Sequence, residues 1–183
     1  MEKIPEVSVI LCTYNSATFL PGAVDSVLTQ TFTDFELIIV DDGSTDNTEK
    51  IVGEYDDSRV VYLKLEKNAG LPAARNRGIE IARGKYIAYQ DSDDLWMPEK
   101  LERQYKALEE ADEDVGVVYS AWWQVRDGEK YRFPTGNEKL EGYLYHRFLF
   151  GNIFTVHVLM KKEVFDKVGF FDEELPAFED WEL

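Results

Sequence analysis

Runs of strand-forming residues alternating with helix-forming stretches constrain this chain more than any other feature. Val7–Thr13, Phe35–Val40, Val60–Leu63 and Ile87–Tyr89 are short, apolar and rich in β-branched or aromatic residues. Helical stretches over 17–29, 47–55, 71–82 and 98–111 follow them in turn, and 115–120 reads as a fifth strand. Ser16 is placed to cap the first helix, Pro72 sits near the start of the third, and Leu101, Tyr105 and Leu108 mark one face of the fourth. Alternation at this spacing predicts right-handed crossovers and a Rossmann-like α/β fold, a wound, mostly parallel sheet with helices on both faces. After Ser120 the pattern turns mixed. Trp122, Gln124, Tyr131 and Phe133 flank Asp127-Gly128, which is hairpin chemistry. A helix over 140–150, a strand over 155–160 and a short helix over 162–168 closed by Gly169 follow. No repeat, low-complexity tract or linker interrupts the chain, so 1–183 reads as a single domain with a wound half (1–120) and a smaller mixed half (121–183).

Composition narrows the function classes. At 183 residues, 44% of them hydrophobic, the chain can bury a sizeable core. Its 36 acidic against 20 basic residues give a net charge of −16, which repels polyanions and argues against nucleic acid as a partner. Cys12, the single cysteine, lies inside an apolar run, so a core thiol and a reducing compartment are expected. No stretch of about 18 apolar residues occurs, which predicts neither a signal peptide nor a membrane span. The expected location is the cytoplasm, with any association at the inner face of the membrane peripheral. The sequence stops at Trp181-Glu182-Leu183 within what reads as a new helix, and a longer natural chain is expected.

Three strand ends carry polar groups suited to chemistry. The strand through Ile87–Tyr89 runs into Gln90-Asp91-Ser92-Asp93-Asp94. In open α/β sheets, ligands bind outside the carboxyl ends of strands. Asp91 and Asp93, two apart, would repel one another unless a hard divalent cation such as Mn²⁺ or Mg²⁺ sat between them. The alternative is a capping turn, with Asp93 or Asp94 at the start of the helix near Pro98. The first strand delivers Thr13, Tyr14 and Asn15 to the same edge; the second delivers Asp41 and Asp42, which could accept hydrogen bonds from a base or ribose. Ser44 and Asp46 read as helix caps. Asn68-x-Gly70…Ala74-Arg75-Asn76-x-Gly78 places Arg75 early in a helix, where its charge and the positive helix end could serve a diphosphate, or where it could form a surface ion pair. His146 and His157 lack zinc-ligand spacing and read as structural or acceptor-side residues. Adjacent Trp122 and Trp123 face opposite sides of a strand, one toward the core and one free to stack on a sugar.

Taken together, Val7-Ser8-Val9-Ile10-x-x-x-Tyr14-Asn15, Glu36–Asp42-Gly43-Ser44-x-Asp46, the Asn68-to-Gly78 segment and Asp91-Ser92-Asp93-Asp94 resemble the family 2 glycosyltransferases of GT-A fold. Gly169–Glu173 and Glu179-Asp180-Trp181 resemble that family's acceptor-side segment and Glu-Asp motif, so the likeness covers nearly the whole chain. It implies a nucleotide-diphosphate-sugar donor, expected to be a UDP-sugar, a divalent metal, and inverting transfer to a carbohydrate or glycolipid hydroxyl. Carried over by position, Thr13, Tyr14 and Asn15 would lie near the base and Asp41 would bond it. Asp42 and Ser92 belong to the same nucleotide-binding loops, Arg75 would hold the nucleotide, and Asp91 would contact the ribose or support the metal. Asp93 would be the principal metal ligand and Asp180 the base, with Glu179 beside it. Family members normally continue beyond the Glu-Asp motif. Two other classes compete: a sugar-1-phosphate nucleotidyltransferase, disfavoured because Cys12–Ser16 lacks glycine and lysine, and a non-catalytic nucleotide-sugar- or glycan-binding module.

Overall fold

A computed structural model describes residues 3–133 and 157–174. His146, the helix expected over 140–150, and Glu179 and Asp180 lie outside these residues. Six strands form one sheet, β1 (Val7–Thr13), β2 (Phe35–Asp41), β3 (Val60–Lys64), β4 (Tyr86–Asp91), β5 (Val117–Tyr119) and β8 (Val158–Lys161), in the order β3-β2-β1-β4-β8-β5. The β6 (Trp122–Arg126) and β7 (Glu129–Phe133) strands form a separate hairpin. Its turn is the expected Asp127-Gly128, at φ 53° and 80°, the paired positive values of a type I′ turn. Helices α1 (Leu20–Leu28), α2 (Thr48–Val52), α3 (Leu71–Ile81), α4 (Lys100–Glu109) and α5 (Val164–Val168) complete the described residues.

All seven residues of β1 and of β2 are buried, because helices cover both faces of the sheet and neither face is left for polar alternation. On one face Val9, Leu11, Leu37, Ile39 and Ala88 meet Leu20, Val24 and Val27 of α1 and Leu101 and Leu108 of α4. Burying each such side chain contributes about 1.5–3 kcal/mol. On the other face Ile10, Ile38, Val40, Ile87 and Tyr89 pack on Ala74 and Ile79 of α3 and Phe165 of α5. Gly78 permits the closest approach there: a Cβ at that position would stand 2.5 Å from Ile10 Cγ2.

Two details differ from expectation. The first helix starts at Leu20 rather than at 17, and Ser16 does not cap it. Pro21 lies in the first turn, where its missing N–H costs nothing, and that fixes the start. The Ser16 carbonyl instead accepts the N–H groups of Phe19 and Leu20 at 3.0 Å each, closing the turns that precede the helix. The fifth strand does not pair with β4. Strand β8 inserts between them, antiparallel to both, with Ala88 opposite Leu159 and Val118 opposite Leu159. The sheet is therefore parallel across β3-β2-β1-β4 and mixed at the far edge, which brings the second half of the chain against β4.

Candidate active site

Register places the three expected polar strand ends level with one another. Thr13 pairs with Asp41 across β1 and β2, and Cys12 pairs with Asp91 across β1 and β4. Parallel pairing in register makes this edge, since β1 and β2 end together and β4 ends one residue earlier. The backbone N–H of Asp42 donates to the Thr13 carbonyl at 2.9 Å, extending the ladder into the loops.

The loops after β1 and β2 are sewn together. Asn15 adopts φ 50°, its N–H donates to Ser44 Oγ at 2.9 Å, and its Oδ1 accepts the Thr45 N–H at 2.9 Å. Asp46 accepts the N–H and hydroxyl of Thr48 at the start of α2 and the Ala17 N–H, so it organises a helix start as expected; Ser44, by contrast, serves the β1 loop. Tyr14 stands out at the mouth, 48% exposed. Asp41 is wholly buried, its Oδ1 accepting the Ser44 N–H at 2.7 Å and its Oδ2 the Tyr62 hydroxyl at 2.6 Å. Asp42, also buried, accepts the N–H groups of Ala69 and Gly70 at 2.7 and 2.9 Å. In this structure both carboxylates are engaged by the protein's own donors, one hydrogen bond to each oxygen, which leaves each with lone pairs for a further donor. The loop backbones need acceptors, and these anions supply them.

By holding Ala69 and Gly70, Asp42 fixes the entry to α3. Gly70 itself has φ 94°, a conformation that a residue with a side chain rarely adopts. The first turns of α3 then carry Arg75 inward, 4% exposed rather than in a surface pair. Its guanidinium lies 3.8 Å from Asp91 Oδ1 and between two rings, 5.6 Å from the centroid of Tyr89 and 5.5 Å from that of Phe171. Asn76, the next residue, pins Phe171 from both sides: its Nδ2 donates to the Phe171 carbonyl at 2.9 Å and its Oδ1 accepts the Phe171 N–H at 3.0 Å. The acceptor-side segment expected from the sequence therefore docks on α3 beside Arg75. Among the described residues, three buried polar atoms lack a hydrogen-bond partner: Thr13 Oγ1, Tyr89 OH and Gln90 Oε1. All three belong to the ends of β1 and β4.

Beyond β4 the chain turns at Asp91–Asp94, with the Asp94 N–H donating to the Asp91 carbonyl at 3.2 Å. Neither Asp93 nor Asp94 caps a helix, because α4 begins at Lys100 after Glu99. Asp93 is exposed, while Asp91 and Ser92 are half-buried. Partial burial, and then the neighbouring charge of Asp93, raise the Asp94 carboxyl above its ordinary value. Among the described residues no three His, Cys, Asp or Glu side chains converge tightly enough to hold a metal by themselves. Two hard oxygen donors on an open turn fit an Mg²⁺- or Mn²⁺-type ion that takes its remaining ligands from phosphate and water. Cys12 is inert in this setting: burial pushes its thiol up to about 12.

Period-two alternation could have found Tyr89, on the same face of β4 as Asp91; nothing local in the sequence signals Tyr62, and Phe171 is marked only as part of the Gly169–Glu173 segment, not as a neighbour of Arg75. Both reach the site through contacts distant along the chain, the hydroxyl of Tyr62 on Asp41 and the ring of Phe171 on Arg75.

The mostly parallel α/β sheet, with its strand ends gathered at one edge, has the GT-A architecture of glycosyltransferases. The glycosyl transferase family 2 model matches residues 8–169, and the chain belongs to that family. It is 33% identical, over its whole length, to an uncharacterized glycosyltransferase of Methanocaldococcus jannaschii, of which it spans 64%. Over 108 residues it is 44% identical to the putative teichuronic acid biosynthesis glycosyltransferase TuaG of Bacillus subtilis, covering 58% of this chain and 43% of that one. The fold superposes on S. aureus TarS in complex with UDP with a TM-score of 0.76 at 25% identity, over 96% of this chain and 53% of that one. The chain thus spans about half to two thirds of the length of these relatives. No helix among the described residues is long and apolar enough to cross a membrane.

Proposed function

We propose that the chain is the donor-binding and catalytic portion of an inverting, metal-dependent glycosyltransferase that moves a sugar from a UDP-sugar to the hydroxyl of a carbohydrate or glycolipid, in the cytoplasm or at the inner membrane face. The observation that carries this reading is the edge formed by the ends of β1, β2 and β4, where Thr13 Oγ1 and Tyr89 OH are buried without partners and the buried Arg75 lies over the Tyr89 ring. Such groups are costly to leave unsatisfied, and a polar ligand at this edge would satisfy them. UDP in the related TarS structure supports uracil as the base.

In this reading Tyr14 and the Thr13–Asn15 loop border the base. Asp41 and Asp42 act by holding the loops that shape its pocket, and Arg75 offsets charge on the diphosphate. Asp93 and Asp91, with Ser92 between them, would hold the divalent ion, which when bound supplies further charge neutralisation at the leaving diphosphate. The acceptor oxygen bonds to the anomeric carbon as the bond to the diphosphate oxygen breaks, and the acceptor's proton passes to Asp180, with Glu179 adjacent.

The test is a thermal-shift titration of UDP and UDP-sugars in Mn²⁺ and in EDTA. Stabilisation enhanced by Mn²⁺ is expected. Equal stabilisation in EDTA would remove the metal from the reading, and no stabilisation in either would remove the donor.

A further inference from the structure

Lys100, the first residue of α4, is an ammonium seated in a polar and aromatic cluster outside the donor edge. Its Nζ lies 3.9 Å from the centroid of the Trp96 ring and donates to Gln104 Oε1 at 2.7 Å. Gln104, 4% exposed, passes the chain onward: its Nε2 donates to the His157 carbonyl at 2.7 Å. The imidazole of His157 stacks on Trp122 at 4.3 Å and 11°. The cluster sits beyond the carboxyl end of β4, since pairing of Ala88 with Leu159 brings His157, two residues earlier on β8, level with Gln90. It is thus on the sheet edge that carries Asp91 and Asp93, but displaced toward β8 and β5 rather than toward β1 and β2, where the proposed donor groups lie.

Among the described residues no carboxylate forms an ion pair with Lys100, whose ammonium is met by the Trp96 ring and Gln104. Burial lowers its amine to about 7, and burial and then the Lys100 charge lower His157 to about 4. The positive end of α4 adds to the same field, and Glu99 at its N-cap and Glu102 in its first turn offset part of it. An ammonium has three donors, and Gln104 takes one.

We propose that Lys100 is the anchor of an oxyanion subsite on the acceptor side, which binds a phosphate or carboxylate carried by the acceptor. This rests on the glycosyltransferase reading above and deepens it: the acceptor class is an anionic glycan or polyol phosphate rather than a neutral sugar. The donor diphosphate is the other oxyanion in the reaction, and the experiment separates the two sources.

The test compares wild type with Lys100→Met, which keeps the aliphatic stem against Trp96, and with Lys100→Arg, which keeps the charge. Each is titrated first with UDP and Mn²⁺, then, at saturating UDP and Mn²⁺, with inorganic phosphate and with glycerol 3-phosphate against glycerol. The expected result is unchanged UDP affinity in all three proteins, together with loss of phosphate and glycerol 3-phosphate affinity by about tenfold in Lys100→Met and retention in Lys100→Arg. Equal phosphate affinity in wild type and Lys100→Met overturns the subsite. Loss of UDP affinity in Lys100→Met assigns the amine to the donor and overturns the acceptor assignment. Failure of UDP to bind wild type at all refutes the donor reading instead, a result distinct from either.

Discussion

Replacing Asp42 separates two tasks that a carboxylate at a strand end can perform. Its oxygens accept the Ala69 and Gly70 N–H groups at 2.7 and 2.9 Å, and the residue is 4% exposed. Hydrogen bonds to a charged acceptor contribute about 1.5–3 kcal/mol each, and part of that is offset by the cost of burying the charge. Asp42→Ala leaves two partly buried amides without acceptors, so the expected loss is about 2–4 kcal/mol, or about 4–16 °C in Tm for a domain of this size. Asp42→Asn keeps one acceptor and turns an NH₂ toward a donor, so it should recover no more than about half of that loss. Calorimetry or urea unfolding measures the total. Hydrogen exchange at Ala69 and Gly70 locates it, because those amides should lose protection before the β1 and β2 ladders do. Donor affinity should fall only as a consequence, through the displaced entry of α3 and Arg75. If Asp42→Ala unfolds within about 0.5 kcal/mol of wild type while UDP affinity collapses, the carboxylate is a donor ligand and the clamp argument is wrong.

Four further outcomes are expected. Asp93→Ala should abolish the Mn²⁺-dependent part of UDP stabilisation with little change in Tm, since the exposed side chain makes no contact that holds the fold; a collapse in Tm would show a structural role. Lys100 has a folded pKa of about 7 against an ordinary 10.5, so the unfolded chain binds more protons between those values and stability should rise with pH from about 7 until Cys12, raised to about 12 from 9.0, begins to oppose it near pH 9. In urea melts this contribution, about 1–2 kcal/mol after discounting for its partial exposure, should vanish in Lys100→Met, and an unchanged slope would refute it. Asn76→Ala should cost about 2–4 kcal/mol and expose the segment around Phe171 to proteolysis before global unfolding, whereas cleavage only on global unfolding would show that the tie is redundant. Cys12 should resist thiol reagents in the native state and react on unfolding; rapid native labelling would contradict its burial.

What could be read from the sequence is what local physics decides. The strands β1, β2 and β4 are visible because burial on both faces writes itself as continuous apolar runs, and parallel register then brings Thr13 level with Asp41 and Asp91 level with Cys12, one residue before. The hairpin is visible because Asp127-Gly128 suits paired positive φ values. What could not be read depends on partners far along the chain. Asp42 is answered by Ala69 and Gly70, 27 and 28 residues on, and Asn76 by Phe171, 95 residues on. Likewise, nothing within Val158–Lys161 states that it will enter the sheet between β4 and β5. Ser16 misled for the opposite reason: a good capping residue stood four positions before a helix whose start Pro21 had already fixed.

The insertion of β8 also bears on how donor and acceptor chemistry come to share one edge. Had β5 paired directly with β4, the second half of the chain would have lain one strand further from Asp91. With β8 against β4, and with Asn76 holding Phe171 on α3, the second half reaches the carboxylates along two routes, one on each side of β4. The α3 route presents Phe171 to Arg75, and the β8 route presents His157 and the Lys100 cluster. A displacement reaction needs its nucleophile held on the side of the sugar away from the leaving diphosphate. In the proposed reading a donor pocket on β1, β2 and α3 and an acceptor surface on β8, β5 and α4 would divide those tasks on either side of β4, with Asp91 and Asp93 at the division.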